Sequence, residues 1–471
     1  MTDAVVVGSG PNGLAAAVLL AEEGVNVRVL EGASTVGGGT RSAELTLPGL
    51  VHDECSGFHP LATDNPFTRR FDLTEHGVKW LWPEVQYAHP LDGGGGAAAY
   101  RSVAATADNL GPDGRAWSAV FSNATAQFGA VTEDFLRPML HVPRHPWMLA
   151  RFGAYAAMPA ALLARRFSSS EGKALFAGVA AHGFRPFTSP MSAAIGVALG
   201  TAAHAYGWPV AQGGSQSIAS AMVSILNEYG GSVETGIHVE SLDELGSPDL
   251  VLLDTTPSAA ADMAGDRMPP AIARAYRRYR HGPGVYKVEY AVEEGVPWQH
   301  EPSRRAGTVH VVGSLAETAF AERQVHRGEM PARPFVLVGQ QSQADPSRAA
   351  GSLHPVYAYA HVPSGYSGDA TQMITAQIER FAPGFRDTIR AKHVRSTHGM
   401  ALHNPNYVGG DVVTGGNDPL QVLFRPRIAL DPYSTGIPGV YLCSAATPPG
   451  AGAHGMCGFN AALAALEYLR R

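Results

Sequence analysis

Apolar residues along this chain fall into short β-branched runs that pass, through glycine-rich breaks, into longer alanine- and leucine-rich runs. The first unit is Ala4-Val5-Val6-Val7, then Gly8-Ser9-Gly10-Pro11-Asn12-Gly13, then Leu14-Ala15-Ala16-Ala17-Val18-Leu19-Leu20-Ala21. β-Branched residues suit a buried strand and alanine with leucine suits a helix, so the pattern predicts strand, turn and helix. A second strand over residues 25–30, ending at Glu31, completes a βαβ unit. The far end repeats the theme: residues 439–446 predict a strand, 447–460 a glycine loop and 461–469 a helix. Between them, residues 215–229 predict a helix, followed by strands at Ser232-Val233, at 237–239 and at Leu250–Leu253. Alternating runs at 286–292, 309–312 and 335–338 predict a mostly antiparallel sheet within 281–394. Residues 108–204 predict helices broken by Pro138, Pro143, Pro146, Pro159, Pro186 and Pro190, and Gly93-Gly94-Gly95-Gly96 predicts a hairpin tip.

The spacing of the first glycine turn has a chemical reading. Gly8 permits the tight turn, Gly10 lets backbone approach a pyrophosphate, and Gly13 lets the helix pack on the strand. The helix start, with Pro11 and Asn12, then faces the phosphates with unpaired N–H groups and a partial positive charge. Glu31 stands where a carboxylate accepts from ribose hydroxyls. This motif does not choose between NAD and FAD. A second glycine loop, Gly37-Gly38-Gly39-Thr40-Arg41, follows and ends in a cation able to reach the same pyrophosphate. The C-terminal glycine loop again enters a helix N-terminus, which can stabilise negative charge on a reduced flavin. Glycine-loop helix starts at both ends of the chain fit a long, bipartite cofactor.

Composition narrows the classes. The chain has 471 residues, 45% hydrophobic and 16% charged, which implies two or three domains and an ample core and excludes disorder as the main state. Net charge of −6 offers no basic field, so nucleic acid is not an expected partner. Cys55, Cys443 and Cys457 are too few and too scattered for a disulfide framework or a cysteine-rich zinc site, and no metal-ligand spacing is legible among the 19 histidines. A reducing compartment fits, the start of the chain lacks an export pattern, and the cytoplasm is the expected location.

Pro448-Pro449-Gly450-Ala451-Gly452-Ala453-His454-Gly455-Met456-Cys457-Gly458, preceded by Tyr441-Leu442-Cys443, resembles the C-terminal signature of the phytoene desaturase-related FAD-dependent oxidoreductases. The nearest branch is that of pyridine nucleotide-disulfide oxidoreductase domain-containing protein 2. Gly207-Trp208-Pro209-Val210, Tyr286-Lys287-Val288 with Pro297-Trp298, and Asn404-Pro405-Asn406-Tyr407-Val408-Gly409-Gly410-Asp411 agree. The resemblance spans essentially the whole chain. It implies an α/β fold: a discontinuous Rossmann-like FAD-binding domain of amine oxidase type (1–70, 205–280 and 396–471) with an inserted α+β substrate domain (71–204 and 281–395). It also implies that Gly8, Gly10, Pro11, Asn12, Gly13, Glu31, Gly38, Gly39, Thr40 and Arg41 hold the ADP half of FAD. The Val239 backbone would meet the adenine. The loop from Gly452 through Gly455 to Met456 would meet the ribityl chain and flavin, beside Ala446, where many flavoproteins carry an acid. Asn460 departs from the histidine expected in the branch.

Candidates for chemistry are fewer. Lys287, in a strand of the predicted substrate sheet, borders the flavin or faces solvent. His454 lies in the flavin-facing loop, in a proton-transfer or positional role, while Cys457 reads as packing. Ser56, Phe58 and His59 line the re-entry toward the flavin or serve turn and core. The segment 135–167 mixes apolar residues with Arg137, Arg144, Arg151, Arg165 and Arg166, and reads either as a peripheral membrane contact or as roof helices with snorkelling arginines. The expected activity is dehydrogenation or desaturation of a hydrophobic small molecule by hydride transfer to flavin N5, with oxygen or a quinone as acceptor. The alternatives are a flavin-dependent double-bond isomerase, an amine oxidase and a non-catalytic FAD-fold binding protein.

Overall fold

A computed structural model describes residues 2–470. Two sheets organise them. The first has five parallel strands in the order Val440–Leu442, Leu250–Leu253, Asp3–Val7, Asn26–Glu31 and Ser232–Thr235. Strand and helix period explain its layers. Ala4 and Val6 point to one face with Leu250 and Leu252, and pack against the helices Pro11–Glu22, Gln216–Glu228 and Met456–Leu469. Val5 and Val7 point to the other face with Leu253, and pack on the helix Pro257–Ala264. A parallel sheet covered on both faces requires such continuous apolar strands.

The second sheet has seven strands in the order Ile389–Arg395, Gly284–Glu293, Leu353–Val362, Val336–Gly339, Ala306–Val311, Val85–Pro90 and Gly96–Tyr100. All neighbours are antiparallel except Ala306–Val311 beside Val85–Pro90. One face buries Val288, Tyr290 and Val309 under the helix Thr371–Phe381. The other face carries Tyr87, Leu337 and Tyr357 and meets the roof helices Gly114–Ala126, Ser170–Ala181 and Ala194–Ala205. The glycine run closes the hairpin between Val85–Pro90 and Gly96–Tyr100 through a short turn at Asp92–Gly94.

One predicted strand is absent. Pairing stops at Thr235, because Gly236 turns the chain at φ +75° and residues 237–239 continue outside the sheet. That segment is tied instead to the end of the second strand, with Gly236 N–H donating to Ala33 O at 2.9 Å and Ile237 N–H to Glu31 O at 2.9 Å. The two ends of the chain meet at helix contacts. A Cβ on Gly458 would lie 1.7 Å from Asn12 O, so only glycine lets the C-terminal helix approach the N-terminal one this closely.

Candidate active site

A cavity of about 950 Å3 begins at the carboxyl ends of the parallel strands and runs to the second sheet and the roof helices. Its first half is a cradle. Gly8 turns at φ +100° with its N–H donating to Leu30 O at 2.8 Å, and a Cβ on Gly13 would lie 2.1 Å from Gly8 O. Gly8, Gly10, Pro11, Asn12, Glu31, Gly38, Gly39, Thr40, Arg41, Val239 and Ala446 all line this cavity. Glu31 accepts from the Ser9 N–H at 2.8 Å and the Ala33 N–H at 2.9 Å, and pairs with Arg41 at 3.5 Å. Ser9 Oγ also donates to Glu31, so its roughly four acceptor positions are filled, and a ribose hydroxyl would take the place of one of these donors. Two buried polar atoms here have no partner, Asn12 Oδ1 and Arg41 Nε. Each unmade hydrogen bond costs about 1–3 kcal/mol, which marks the cradle as a place where polar atoms await a ligand.

The C-terminal loop closes the middle of the cavity through Pro449, Gly450, Ala451, Gly452, Ala453 and His454. Gly455 and Met456 follow directly and carry the loop into the C-terminal helix. Gly455 turns the chain at φ +71° into the helix, and the Met456 N–H donates to His454 Nδ1 at 3.0 Å. Burial lowers the His454 pKa to about 4, so its neutral ring acts as the acceptor that locks the loop onto the helix start. Cys457 Sγ donates to Gly450 O at 3.2 Å, while burial pushes its thiol up to about 12. Asn460 Nδ2 donates to Leu136 O at 2.9 Å, joining this helix to the roof.

Lys287 faces the cavity, not solvent, and is 2% exposed. Strand period explains it: Val285 and Lys287 point to the face that Tyr357 and Tyr359 share from the neighbouring strand, and all four line the cavity. Lys287 Nζ donates to Asp53 O at 2.8 Å, pairs with Glu289, and lies 4.5 Å from the Tyr357 ring centroid. Burial raises the Glu289 carboxyl, yet Lys287 and then His52, 3.2 Å away, outweigh it and hold its pKa below the usual value.

Ser56 and Phe58 also line the cavity. His59 does not. Its Nε2 lies 2.8 Å from Ser215 Oγ in the core, and burial lowers its pKa to about 4.

Several residues of the site carried no legible sequence signal. Asp53 accepts from Ser42 Oγ at 2.7 Å and the Ser215 N–H at 2.8 Å, and pairs with fully buried Arg348, which also donates to Ala211 O at 2.6 Å. That network stitches the two halves of the molecule under the cavity floor. His182 lines the chamber with its Nε2 2.9 Å from His310 Nε2, and burial keeps both rings neutral. Asp254, at the end of Leu250–Leu253, reaches into the glycine turn. The signal available for Asp254 was its place after a buried strand and before Thr255-Thr256-Pro257; the others depend on distant pairing.

These two sheets and the cavity between them define an α/β fold with a Rossmann-like dinucleotide-binding part. A family profile described as NAD(P)-binding Rossmann-like domain matches residues 6–73. The chain is 23% identical to rat (Rattus norvegicus) pyridine nucleotide-disulfide oxidoreductase domain-containing protein 2, over 98% of this chain and 92% of the rat protein. The resemblance to that branch is thereby borne out over 98% of this chain. Among solved structures, an oxidoreductase from Methanosarcina mazei aligns with a TM-score of 0.63 at 14% identity, covering 99% of this chain and 100% of that one. Wild-type putrescine oxidase bound to putrescine aligns with a TM-score of 0.60 at 16% identity, covering 100% and 99%. These structural likenesses show the fold.

Proposed function

We propose that the protein is an FAD-dependent oxidoreductase that removes a hydride and a proton from adjoining carbons of a hydrophobic, non-cationic small molecule, forming a C=C bond. The observation that carries this reading is the division of charge along one continuous cavity. Its lining carboxylates, Glu31, Glu240, Asp254 and Asp262, belong to the cradle segments. The chamber is walled by Leu61, Leu136, Phe184, Leu199, Leu337 and Met400, and its charged lining is Lys287 with Arg425. A protonated amine would meet Lys287 without a lining carboxylate to pair with, at a cost that low dielectric magnifies.

The residues fit FAD. The unpartnered Asn12 and Arg41 atoms lie in the ADP half, and the glycine loop 450–454 lies between that half and the chamber. Bound FAD would supply the two-electron acceptor for the departing hydride. The chain's own residues would do the rest. Glu31 and Arg41 hold ribose and diphosphate, and the neutral His454 ring keeps the loop against the cofactor. Lys287, fixed by Asp53 O and Glu289, would stabilise the negative charge that builds on the substrate carbon as its proton leaves along the cavity to solvent, the hydride departing from the adjoining carbon. Oxygen or a quinone would serve as the final acceptor of the two electrons and two protons.

An exposed apolar patch follows the lining residues Phe135 and Leu136 in the chain. Val142 and Trp147 are 89% and 87% exposed, a few residues beyond the lining residues Phe135 and Leu136 and beside exposed Arg144 and Arg151. No single helix among the described residues is long and apolar enough to cross a membrane. A peripheral membrane contact at this patch would suit an enzyme of lipid-soluble substrates.

Anaerobic mixing tests the assignment. Long-chain polyene or acyl compounds should bleach the flavin absorption of the FAD-loaded protein, and aliphatic amines should not. Bleaching by amines alone would overturn it. Product formation under anaerobic reducing conditions, with no external acceptor, would replace desaturation by double-bond isomerisation.

A further inference from the structure

The cradle contains one group that a phosphate-binding turn does not require. Asp254 Oδ2 accepts from the Gly13 N–H at 3.0 Å, and a Cβ on Gly10 would lie 2.5 Å from the same oxygen. The carboxyl therefore sits within the glycine turn, at the N-terminal end of the helix Pro11–Glu22, where N–H groups and the helix dipole otherwise serve an incoming anion. It is buried, and it lines the cavity beside Val7, Gly8 and Gly10.

Among the described residues, its surroundings supply no compensating cation. Arg41, the cation of the cradle, pairs with Glu31. Glu31, at the end of Asn26–Glu31 on the other side of the strand Asp3–Val7, adds a like charge. Cys443, after the strand Val440–Leu442, and Cys457, in the C-terminal helix, also face it, and burial pushes both thiols up. From the loop 404–411, Asn406 Nδ2 donates to the Asp254 backbone O at 2.9 Å, leaving the carboxyl untouched. Burial raises the Asp254 pKa to about 7, opposed by the Gly13 N–H, reinforced by Glu31 and opposed again by the Gly10 N–H. The charge of a diphosphate in the same turn would face this carboxyl across low dielectric.

We propose that Asp254 is a proton-operated latch on the cofactor: FAD enters the cradle with the Asp254 carboxyl protonated, and ionisation of that carboxyl loosens the diphosphate. The latch rests on the reading that this cavity holds FAD, and it adds a control that the reading does not contain. A protonated carboxyl can donate to a phosphate oxygen, whereas a carboxylate can only repel it. Linkage makes the effect reciprocal: bound diphosphate raises the proton affinity of Asp254 by as much as protonation raises the affinity for FAD. The sign follows. Below the pKa of the free protein the acid is neutral in both states and affinity is flat. Above it each binding event must bring a proton, and affinity falls up to about tenfold per pH unit.

The test titrates apo-protein with FAD at constant ionic strength from about pH 6 to about pH 9, following flavin fluorescence, for the wild type and for Asp254→Asn. Asparagine keeps the shape, accepts from Gly13 and donates to phosphate, without a titrating proton. The wild-type Kd should stay flat to about pH 7 and weaken about 10- to 100-fold by the upper limit, while the variant stays flat. Calorimetry in two buffers of different ionisation enthalpy should find about one proton taken up by the wild type at about pH 8, a readout that does not depend on the variant folding. A wild-type Kd independent of pH, or an equal slope in Asp254→Asn, would overturn the latch alone. No FAD binding by either protein at any pH would overturn the latch together with the cofactor reading.

Discussion

In the cradle, contacts come from backbone close to a glycine: the Leu14 N–H donates to Gly10 O at 2.9 Å and the Thr40 N–H to Gly37 O at 2.9 Å. In the chamber floor they come from side chains far apart in sequence, as where Arg348 meets Asp53 across 295 positions. The cradle's glycine turns can be written in a short motif because their geometry is a property of local φ and ψ; Asp254, bonded to Gly13 across 241 positions, is the exception. The chamber cannot, because its polar groups are satisfied only once two sheets have been brought together. The two regions should therefore fail differently when altered.

The largest effect is expected at Arg348→Met. Removing this fully buried guanidinium leaves Asp53 and Asp345 without their cation, at a cost of about 3–5 kcal/mol read from the urea unfolding midpoint. The pH dependence should reverse. Burial raises the Asp53 carboxyl, but Arg348 and the Ser215 N–H outweigh it and hold its pKa below 3.8. The wild type therefore keeps this stabilisation above the unfolded carboxyl value and loses it as pH falls through the folded one. In the variant burial dominates, the folded pKa rises, and stability should increase as pH falls from about 7 toward about 5. A variant that unfolds normally yet releases FAD would break the division between floor and cradle.

Lys287→Met comes next. Flavin content should be unchanged, because Lys287 lies on the chamber side, while kcat/KM falls about 10- to 100-fold, or about 1.4–2.7 kcal/mol of barrier. The absorbance ratio of flavin to protein, measured beside the rates, separates this from cofactor loss. Adding Glu289→Gln should restore stability lost when Glu289 is stranded, but not the rate. The smallest effect is expected at the surface. Trp147→Asp should weaken co-sedimentation with anionic vesicles about tenfold while turnover of a water-soluble substrate stays constant.

Much of the fold was legible for the reason the comparison gives. The strand, turn and helix at both ends, the helix at Gln216–Glu228 and the alternating strands of the second sheet follow from local period and turn chemistry. The expected strand at 237–239 failed because its residues are apolar and extended, but Gly236 redirects them to the end of Asn26–Glu31. Asp254 reaches Gly13 across 241 positions, and only the parallel pairing of Leu250–Leu253 with Asp3–Val7 sets that register. His182 and His310 likewise meet only when a roof helix settles on the sheet.

The central claim is that one cavity joins a dinucleotide cradle to an apolar chamber, and the most direct measurement is cofactor stoichiometry. Purified protein, incubated with FAD at about pH 6 and freed of excess, should carry one FAD per chain, released intact on heat denaturation. Protein that remains colourless after that incubation, with all FAD recovered in the filtrate, would contradict the account.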